Sequence, residues 1–166
     1  MIAPAMTPDE RFNKAAELFR EAYERQMGGD LDGAIEYYKR SIALHPTAEA
    51  HTFLGWTYSF QGRLEDAIAA CKDAIAVDPD FGNPYNDIGS YLFKLGRLDE
   101  AVPWLEDAIR AKRYEPRHFP HGNLGQVYWA KGELVRAADQ FERALAIEPD
   151  YEFAQAALAA VRRQLN

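Results

Sequence analysis

The sequence predicts an all-α solenoid, because one pattern of small residues returns about every 34 residues along the chain. Three consecutive segments share a glycine, a second glycine seven residues later, and an alanine five residues after that. The first of them carries Gly55, Gly62 and Ala67, and apolar residues recur at helical spacing around these positions. Internal repeats of this length are typical of stacked helices, which usually present a binding surface rather than a catalytic pocket.

Each set of repeated glycines has its own physical reason. Gly55, Gly89 and Gly125 lie inside helical patterns, where glycine costs about 1 kcal/mol relative to alanine, so their recurrence predicts close contact between helices. A second set falls where the helical period breaks, as expected of helix ends in the left-handed conformation. The members of this second set are Gly29, Gly62, Gly96 and Gly132.

Four copies of a longer motif can be aligned in register. The matching residues are Leu18, Ala22, Gly29, Leu31, Ala34, Tyr38, Ser41 and Pro46 in the first copy; Leu54, Gly55, Tyr58, Gly62, Leu64, Ala67, Cys71, Ala74 and Pro79 in the second; Ile88, Gly89, Leu92, Gly96, Leu98, Ala101, Leu105 and Ala108 in the third; and Leu124, Gly125, Tyr128, Gly132, Leu134, Ala137, Phe141, Ala144 and Pro149 in the fourth. This pattern resembles the tetratricopeptide repeat, a unit of two antiparallel helices that cross at small residues. The resemblance implies a right-handed superhelix of four helix-turn-helix units plus a C-terminal capping helix.

The resemblance also divides the chain. It places the four repeats within 7–151, at about 15–47, 48–81, 82–117 and 118–151, and it leaves 152–166 as the capping helix. We expect residues 1–6 to be disordered. Thr7, Pro8 and Glu10 form a helix-start signature, which predicts a first helix over about 8–27.

The last helix is predicted to open at Asp150 and to turn one apolar stripe towards the repeats. The stripe consists of Ala154, Ala157, Leu158, Val161 and Leu165. Polar residues occupy the other face, as a terminal helix with one side in water requires.

Composition narrows the classes of partner. The net charge of -7 disfavours nonspecific binding to nucleic acid, and no stretch reaches the roughly 18 apolar residues of a membrane span. No signal region is visible at the N-terminus, so we expect a cytoplasmic protein, or a periplasmic one if an export signal has been removed. The expected partner is a protein or peptide, without nucleic acid or membrane.

No constellation of residues predicts catalysis, a metal or another cofactor. Glu65 and Asp66 stand at a predicted helix start, where carboxylates favour the helix dipole. His118 and His121 could share a helix face, but no nearby ligand completes a metal site. Cys71 occupies a position that holds large apolar residues in the other repeats, so we expect it to be buried and inert. No glycine-rich nucleotide loop is present.

The connection over 112–118 differs from the others. It contains two extra residues and several basic side chains. It is interpreted either as a tolerated loop insertion or as a local contact site.

The resemblance further implies that the first helix of each repeat lines a concave groove. Its groove positions map onto Arg20, Tyr23, Phe53, Trp56, Phe60, Asn86, Asp87, Ser90, Lys94, Asn123, Gln126 and Trp129. Aromatic rings supply contact area and amides can bond a peptide backbone, so these residues are candidates for peptide binding. Alternatively, they pack against neighbouring helices.

The sequence therefore predicts a non-enzymatic protein-interaction module or scaffold that binds a peptide or a partner helix in a groove lined by aromatic and amide side chains. A third class, an enzyme with a site built on the repeats, is disfavoured by the lack of any catalytic constellation. Two further alternatives stay open. One is a self-associating structural module, hence a homo-oligomer, and the other is an assembly helper of an envelope or pilus machine.

Overall fold

The structure, a computed structural model, describes residues 5–166 and consists within that range of nine α-helices without a strand. The helices are α1 (Pro8–Met27), α2 (Leu31–Leu44), α3 (Ala48–Phe60), α4 (Leu64–Val77), α5 (Asn83–Lys94), α6 (Leu98–Arg110), α7 (His118–Ala130), α8 (Leu134–Ile147) and α9 (Glu152–Leu165). The prediction of an all-α protein is confirmed over these residues.

The chain divides into two compact halves, one that ends at Pro79 and one that spans Asp80–Asn166. In the N-terminal half, α1 packs on α2, α2 on α3 and α3 on α4, and α1 also contacts α3. In the C-terminal half, each helix from α5 to α9 packs on the next, and α7 contacts both α5 and α9. Within each half, neighbouring first helices therefore touch one another as well as their own partners.

Helix α1 begins as the sequence predicts. The Thr7 hydroxyl accepts a hydrogen bond from the Glu10 backbone N–H at 3.2 Å, and the Thr7 N–H donates to the Glu10 carboxylate at 2.7 Å. This pair is a capping box with a proline in the first turn. The disorder predicted for residues 1–6 falls mostly outside the described residues; Ala5 and Met6 are described, exposed and not helical.

Four first helices end in the same left-handed turn. Gly29, Gly62, Gly96 and Gly132 have φ between 73° and 86°. After each glycine, the next N–H bonds back to a carbonyl five residues earlier, for example Arg63 to Tyr58 at 3.0 Å. This is the Schellman closure of a helix, which favours glycine because a Cβ clashes in that conformation. The predicted role of these glycines is confirmed.

The glycines inside the first helices allow close helix crossings. A Cβ on Gly55 would lie 2.9 Å from the Ala67 carbonyl oxygen, and one on Gly89 would lie 2.4 Å from Leu105 Cγ. On Gly125 it would lie 2.7 Å from the Phe141 ring. These separations are below van der Waals contact, so the predicted close approach is confirmed.

One aligned position in the second helix of each repeat lies in the core, and a different side chain occupies it in each of the four repeats. Tyr38, Cys71, Leu105 and Phe141 are all 0% exposed. The predicted burial of Cys71 is therefore confirmed, and its thiol fills the place of an apolar group.

Helix α9 covers α8 and contacts α7. Ala154, Ala157, Leu158 and Val161 of the predicted stripe are buried. Leu165 is 46% exposed because it is the last residue of the helix, so its inclusion in the stripe was wrong. The helix also begins at Glu152 rather than at Asp150.

We predict that Gly89→Ala destabilises the protein. The new methyl group would meet the buried Leu105 side chain, and overpacking costs typically about 1–3 kcal/mol, against the about 1 kcal/mol that alanine gains in a helix. Thermal unfolding measures the change. Gly28→Ala is the matched control, because its Cβ would be 3.4 Å from the nearest atom and its φ is -79°. Equal melting temperatures for the two variants would contradict the close crossing.

We expect the Cys71 thiol to react slowly with a thiol reagent in the native state. Its complete burial requires a local opening, so denaturant should accelerate labelling by roughly hundredfold or more. A variant that combines Cys71→Ala with Ala69→Cys moves the thiol to an exposed position of the same helix. Similar native rates for the two proteins would mean that the α3–α4 core opens easily.

The packing of α9 predicts very different losses of stability for two glutamate substitutions. Val161→Glu places a charge at a site that is 0% exposed, so unfolding free energy should fall by about 3 kcal/mol or more. Ala159→Glu places the same charge on the exposed face and should change stability by less than about 0.5 kcal/mol. Urea denaturation compares the two. An unaffected Val161→Glu protein would show that α9 does not pack.

Candidate peptide-binding surfaces

Five aromatic side chains, termed the aromatic surface, form a connected set in the N-terminal half. They are Phe19 and Tyr23 of α1 and Phe53, Trp56 and Phe60 of α3. Phe53 lies at the centre, with ring centroids 5.3 Å from Phe19, 5.9 Å from Tyr23 and 5.7 Å from Trp56, all in edge-to-face contact. Phe60 continues the series 5.0 Å from Trp56. Four of the predicted groove residues are thereby brought together.

The outer rings of the aromatic surface are open to solvent. Tyr23 is 42% exposed, Trp56 37% and Phe60 55%. Phe19 and Phe53 lie deeper and also contact the fully buried Tyr38 ring, at 5.4 and 6.2 Å. The exposed rings therefore pack on half-buried rings, which in turn contact the buried Tyr38.

Tyr38 is fixed by a hydrogen bond. Its hydroxyl donates to the Gln26 side-chain oxygen at 2.8 Å, and both residues are buried. Burial raises the pKa of the Tyr38 hydroxyl, so the group stays protonated as a donor. The Gln26 amide nitrogen is buried without a partner among the described residues.

A pocket of about 310 Å³ lies beside the aromatic surface in the same half. Its walls are Phe12, Ala15, Ala16, Phe19, Arg20, Ser41, His45, Thr47 and Glu49. The predicted residue Arg20 lines this pocket and does not join the rings. Phe12, whose ring stands edge-on to His45 at 5.2 Å, was not predicted. Its helical spacing from Phe19 on α1 could have indicated it.

Polar side chains predominate among the predicted residues of the C-terminal half. The Asn123 amide of α7 donates to the Asn86 side-chain oxygen of α5 at 2.9 Å. Asn86 is buried, whereas Asn123 and the following Gln126 are half-buried. We call Asn86, Asp87, Ser90, Asn123 and Gln126 the polar surface.

Asp87, Ser90 and Lys94 follow one another at helical spacing along one side of α5. Burial raises the pKa of the Asp87 carboxyl to about 7, and the positive charge of Lys94 opposes this change. Lys94 is exposed, with Nζ 5.9 Å from the Tyr91 ring centroid. Burial raises the pKa of the Tyr114 hydroxyl, and the Asp87 charge adds to the effect.

Trp129 is held by α9. Its indole N–H donates to the Gln164 side-chain oxygen at 3.1 Å, and its ring stands edge-on to Phe141 at 6.4 Å. Trp129 is half-buried, so this predicted residue is partly engaged within the C-terminal half. Gln164 was not predicted to take part, because nothing in the repeat pattern links the two positions.

The basic connection before α7 is held by its own arginines. The Arg117 guanidinium donates to the carbonyl oxygens of Ile109 and Ala111, both at 2.8 Å, at the end of α6. Arg113 lies over the Phe81 ring at 4.6 Å and its backbone N–H bonds to Asp80. These contacts favour the interpretation as a structured loop insertion.

The histidines are used in packing. His121 shares a 2.8 Å hydrogen bond with Gln140, and His118 lies against Phe119 and Tyr151. No group of three His, Cys, Asp or Glu side chains within residues 5–166 could hold a metal ion. In the same range, no helix is both long and apolar enough to cross a membrane.

Comparison with protein families supports the repeat assignment. Three family models, each described as tetratricopeptide repeat, match residues 14–48, 48–81 and 80–149. The chain is 36% identical over 102 residues to small glutamine-rich tetratricopeptide repeat-containing protein 2 of Mycosarcoma maydis, covering 61% of this chain and 29% of that protein. It is 30% identical over 136 residues to human tetratricopeptide repeat protein 7A, covering 81% and 15%. The chain thus spans less than a third of either relative.

Solved structures share the fold. The crystal structure of MamA aligns with a TM-score of 0.75 and 27% identity, over 86% of this chain and 83% of that one. PilF of Pseudomonas aeruginosa aligns with a TM-score of 0.86 and 20% identity, over 93% and 70%, a likeness of fold alone. The repeat register, the stacked helices and these matches agree, and the chain belongs to the tetratricopeptide repeat proteins.

Proposed function

We propose that this chain is a non-enzymatic interaction scaffold that binds a peptide segment or partner helix on the aromatic surface of its N-terminal half. The observation that carries the proposal is the set of exposed rings of Tyr23, Trp56 and Phe60, which the Phe53 ring joins into one connected series. The tetratricopeptide family and its structural neighbours support an interaction scaffold in general.

The rings have a physical reason to bind. Exposed large apolar groups that touch one another form a patch, and patches of this kind mark interaction sites more often than single exposed residues do. The surface is also stiff, because Phe53 stands edge-on to Tyr23 and Trp56 and itself packs on the buried Tyr38 ring. A stiff aromatic surface loses little conformational entropy when a ligand arrives.

The adjacent pocket suggests how a ligand is anchored. Phe19 belongs both to the aromatic surface and to the wall of the pocket of about 310 Å³. A large apolar side chain of the ligand could enter this pocket while its neighbours lie on the rings. Such buried anchors usually carry most of the binding energy of an interface.

The cysteine, carboxylate and histidine side chains that were considered for catalysis or metal binding have structural roles. Cys71 is completely buried, and Asp66 accepts a hydrogen bond from Arg63 at 2.7 Å at the start of α4. His121 is hydrogen-bonded to Gln140. These contacts support the non-enzymatic assignment.

We predict that Trp56→Ala and Phe60→Ala each weaken binding of a peptide selected on the wild-type protein from a random 12-residue phage library. Removing an anchor commonly costs about 2 kcal/mol, roughly thirtyfold in affinity. The melting temperature should change little, because both rings are exposed. Affinity is measured by calorimetry and stability by thermal melting of the same preparations.

Tyr37→Ala is the matched control. Its ring is partly exposed on α2 and contacts Arg25 and Arg40, outside the aromatic surface. Peptide affinity unchanged in all three variants would remove the aromatic surface as the binding site. Light scattering provides a second check: a wild-type dimer that Trp56→Ala converts to monomers would identify self-association instead.

A further inference from the structure

An apolar strip runs along most of α1. Phe12, Phe19, Tyr23 and Met27 follow one another at intervals of seven, four and four residues, which places them on one side of the helix. The two ends are open to solvent, since Phe12 is 54% exposed and Met27 52%. Phe12 and Phe19 line the pocket of about 310 Å³, and Phe19 and Tyr23 contact the Phe53 ring. The pocket and the aromatic surface are therefore parts of one continuous strip.

The length and width of the apolar strip fit a helix. Phe12 and Met27 are 15 residues apart, which at 1.5 Å per residue is about 22 Å. Helix α3 touches α1 and adds a second row of rings, Phe53, Trp56 and Phe60. A third helix can lie along two such rows with apolar side chains spaced three or four residues apart. About 15 residues of helix, or four turns, would cover the strip.

The chemistry of the apolar strip also favours a helical ligand over an extended one. Among its side chains, only the Tyr23 hydroxyl and the Trp56 indole N–H are strong hydrogen-bonding groups. An extended peptide that covered 22 Å would lay the backbone of about seven residues on this surface, where unpaired N–H and C=O groups cost free energy. A helix pairs these groups internally and presents only its side chains.

Three carboxylates stand along the apolar strip. Asp9 and Glu24 are exposed, and each lies three residues before one end of the strip. Glu49 belongs to the wall of the pocket. Arg20, on the same wall, is the basic residue beside them. The surroundings of the strip therefore carry more negative than positive charge along its whole length.

Other basic residues of α1 are engaged elsewhere. The Arg11 guanidinium donates to the Leu44 carbonyl oxygen at 3.3 Å, and Arg25 pairs with Glu21 and Asp30 at 2.8 and 2.9 Å. Residues 5–79 contain 13 acidic and eight basic side chains, so this half carries -5 of the net charge of -7. A ligand with a complementary charge is therefore basic.

We infer that the occupant of the apolar strip is an amphipathic helix of about four turns whose apolar face is flanked by lysine or arginine residues. The inference rests on the proposed function, because it names the conformation and the charge of the same ligand. The apolar side chains of this helix lie on the strip, and one of them enters the pocket. Its basic side chains reach towards Asp9, Glu24 and Glu49.

Selection from a random 16-residue phage library on the wild-type protein tests the conformation. We expect the selected peptides to repeat apolar residues every three or four positions, with basic residues between them. In a synthetic peptide of this kind, proline at a central position that tolerates alanine should weaken binding by at least about thirtyfold, because proline breaks a helix. Binding to the protein should also raise the helical content of the peptide in circular dichroism.

Variants along α1 test whether one ligand spans the strip. Phe12→Ala and Met27→Ala, at opposite ends, should each weaken binding of that peptide by about threefold to tenfold. Val77→Ala is the control, because this side chain is 44% exposed on α4 of the same half. Ala16→Trp fills the pocket from an exposed position and should weaken binding by about tenfold, whereas Ala43→Trp on the exposed face of α2 should not.

Two charge reversals test the basic flank. Glu24→Lys should weaken binding by about threefold to tenfold at low salt, and the loss should shrink at high salt. Glu36→Lys changes the net charge equally at an exposed position of α2, where Glu36 pairs with Arg40, and should change affinity by less than about twofold. Equal losses in the two variants would overturn the charge assignment. Thermal melting shows that each variant is folded.

The outcomes separate this inference from the proposed function. If the selected peptides depend on Trp56 but tolerate a central proline, or bind without loss to Phe12→Ala, Met27→Ala and Ala16→Trp, the helical ligand is overturned and the proposed function stands. If no selected peptide depends on Trp56, both fail.

Discussion

The close crossing of helices at three glycines is the constraint on which the rest of the structure depends. Gly55 admits a backbone carbonyl, and Gly89 and Gly125 admit side chains, to distances that a Cβ would forbid. Each crossing fixes the distance between a first helix and its partner, and that distance decides which residue fits the buried position of the second helix. Cys71 and Phe141 differ greatly in size, yet both are completely buried. The side chains around the crossing therefore compensate for the size of the residue at this buried position.

The crossings hold each helix pair together through one side of its first helix. The other sides of the first helices therefore do not have to pack within the pair. In the N-terminal half this freedom is used for apolar contact area: Tyr23 and Trp56 each contact the Phe53 ring and stay partly exposed. In the C-terminal half it is used for hydrogen-bonding groups such as the Asn86–Asn123 pair. Apolar area contributes affinity with little directional preference, whereas polar groups discriminate between ligands. The two halves thus present surfaces of different chemistry on first helices of the same repeat type.

The sequence predicted the features that repeat and missed those that do not. Helix ends, glycine crossings and the burial of Cys71 follow from local pattern, since each is determined by backbone conformation or by register. The contact of Trp129 with Gln164 and the hold of Arg117 on α6 depend on side-chain torsions and on partners from other elements. No periodicity encodes these choices.

One position of the repeat carries a different type of side chain in each copy. The position two residues before the crossing glycine is Phe53 in the second repeat, Asp87 in the third and Asn123 in the fourth. The corresponding residue of α1 is Arg20. An aromatic ring, an anion, an amide and a cation thus occupy one repeated position without disturbing the helices that present them. Under the proposed function, a substitution there would alter what the protein binds and leave the crossings intact. Gene duplication of such a repeat followed by change at this single codon would diversify partners while retaining an already foldable scaffold.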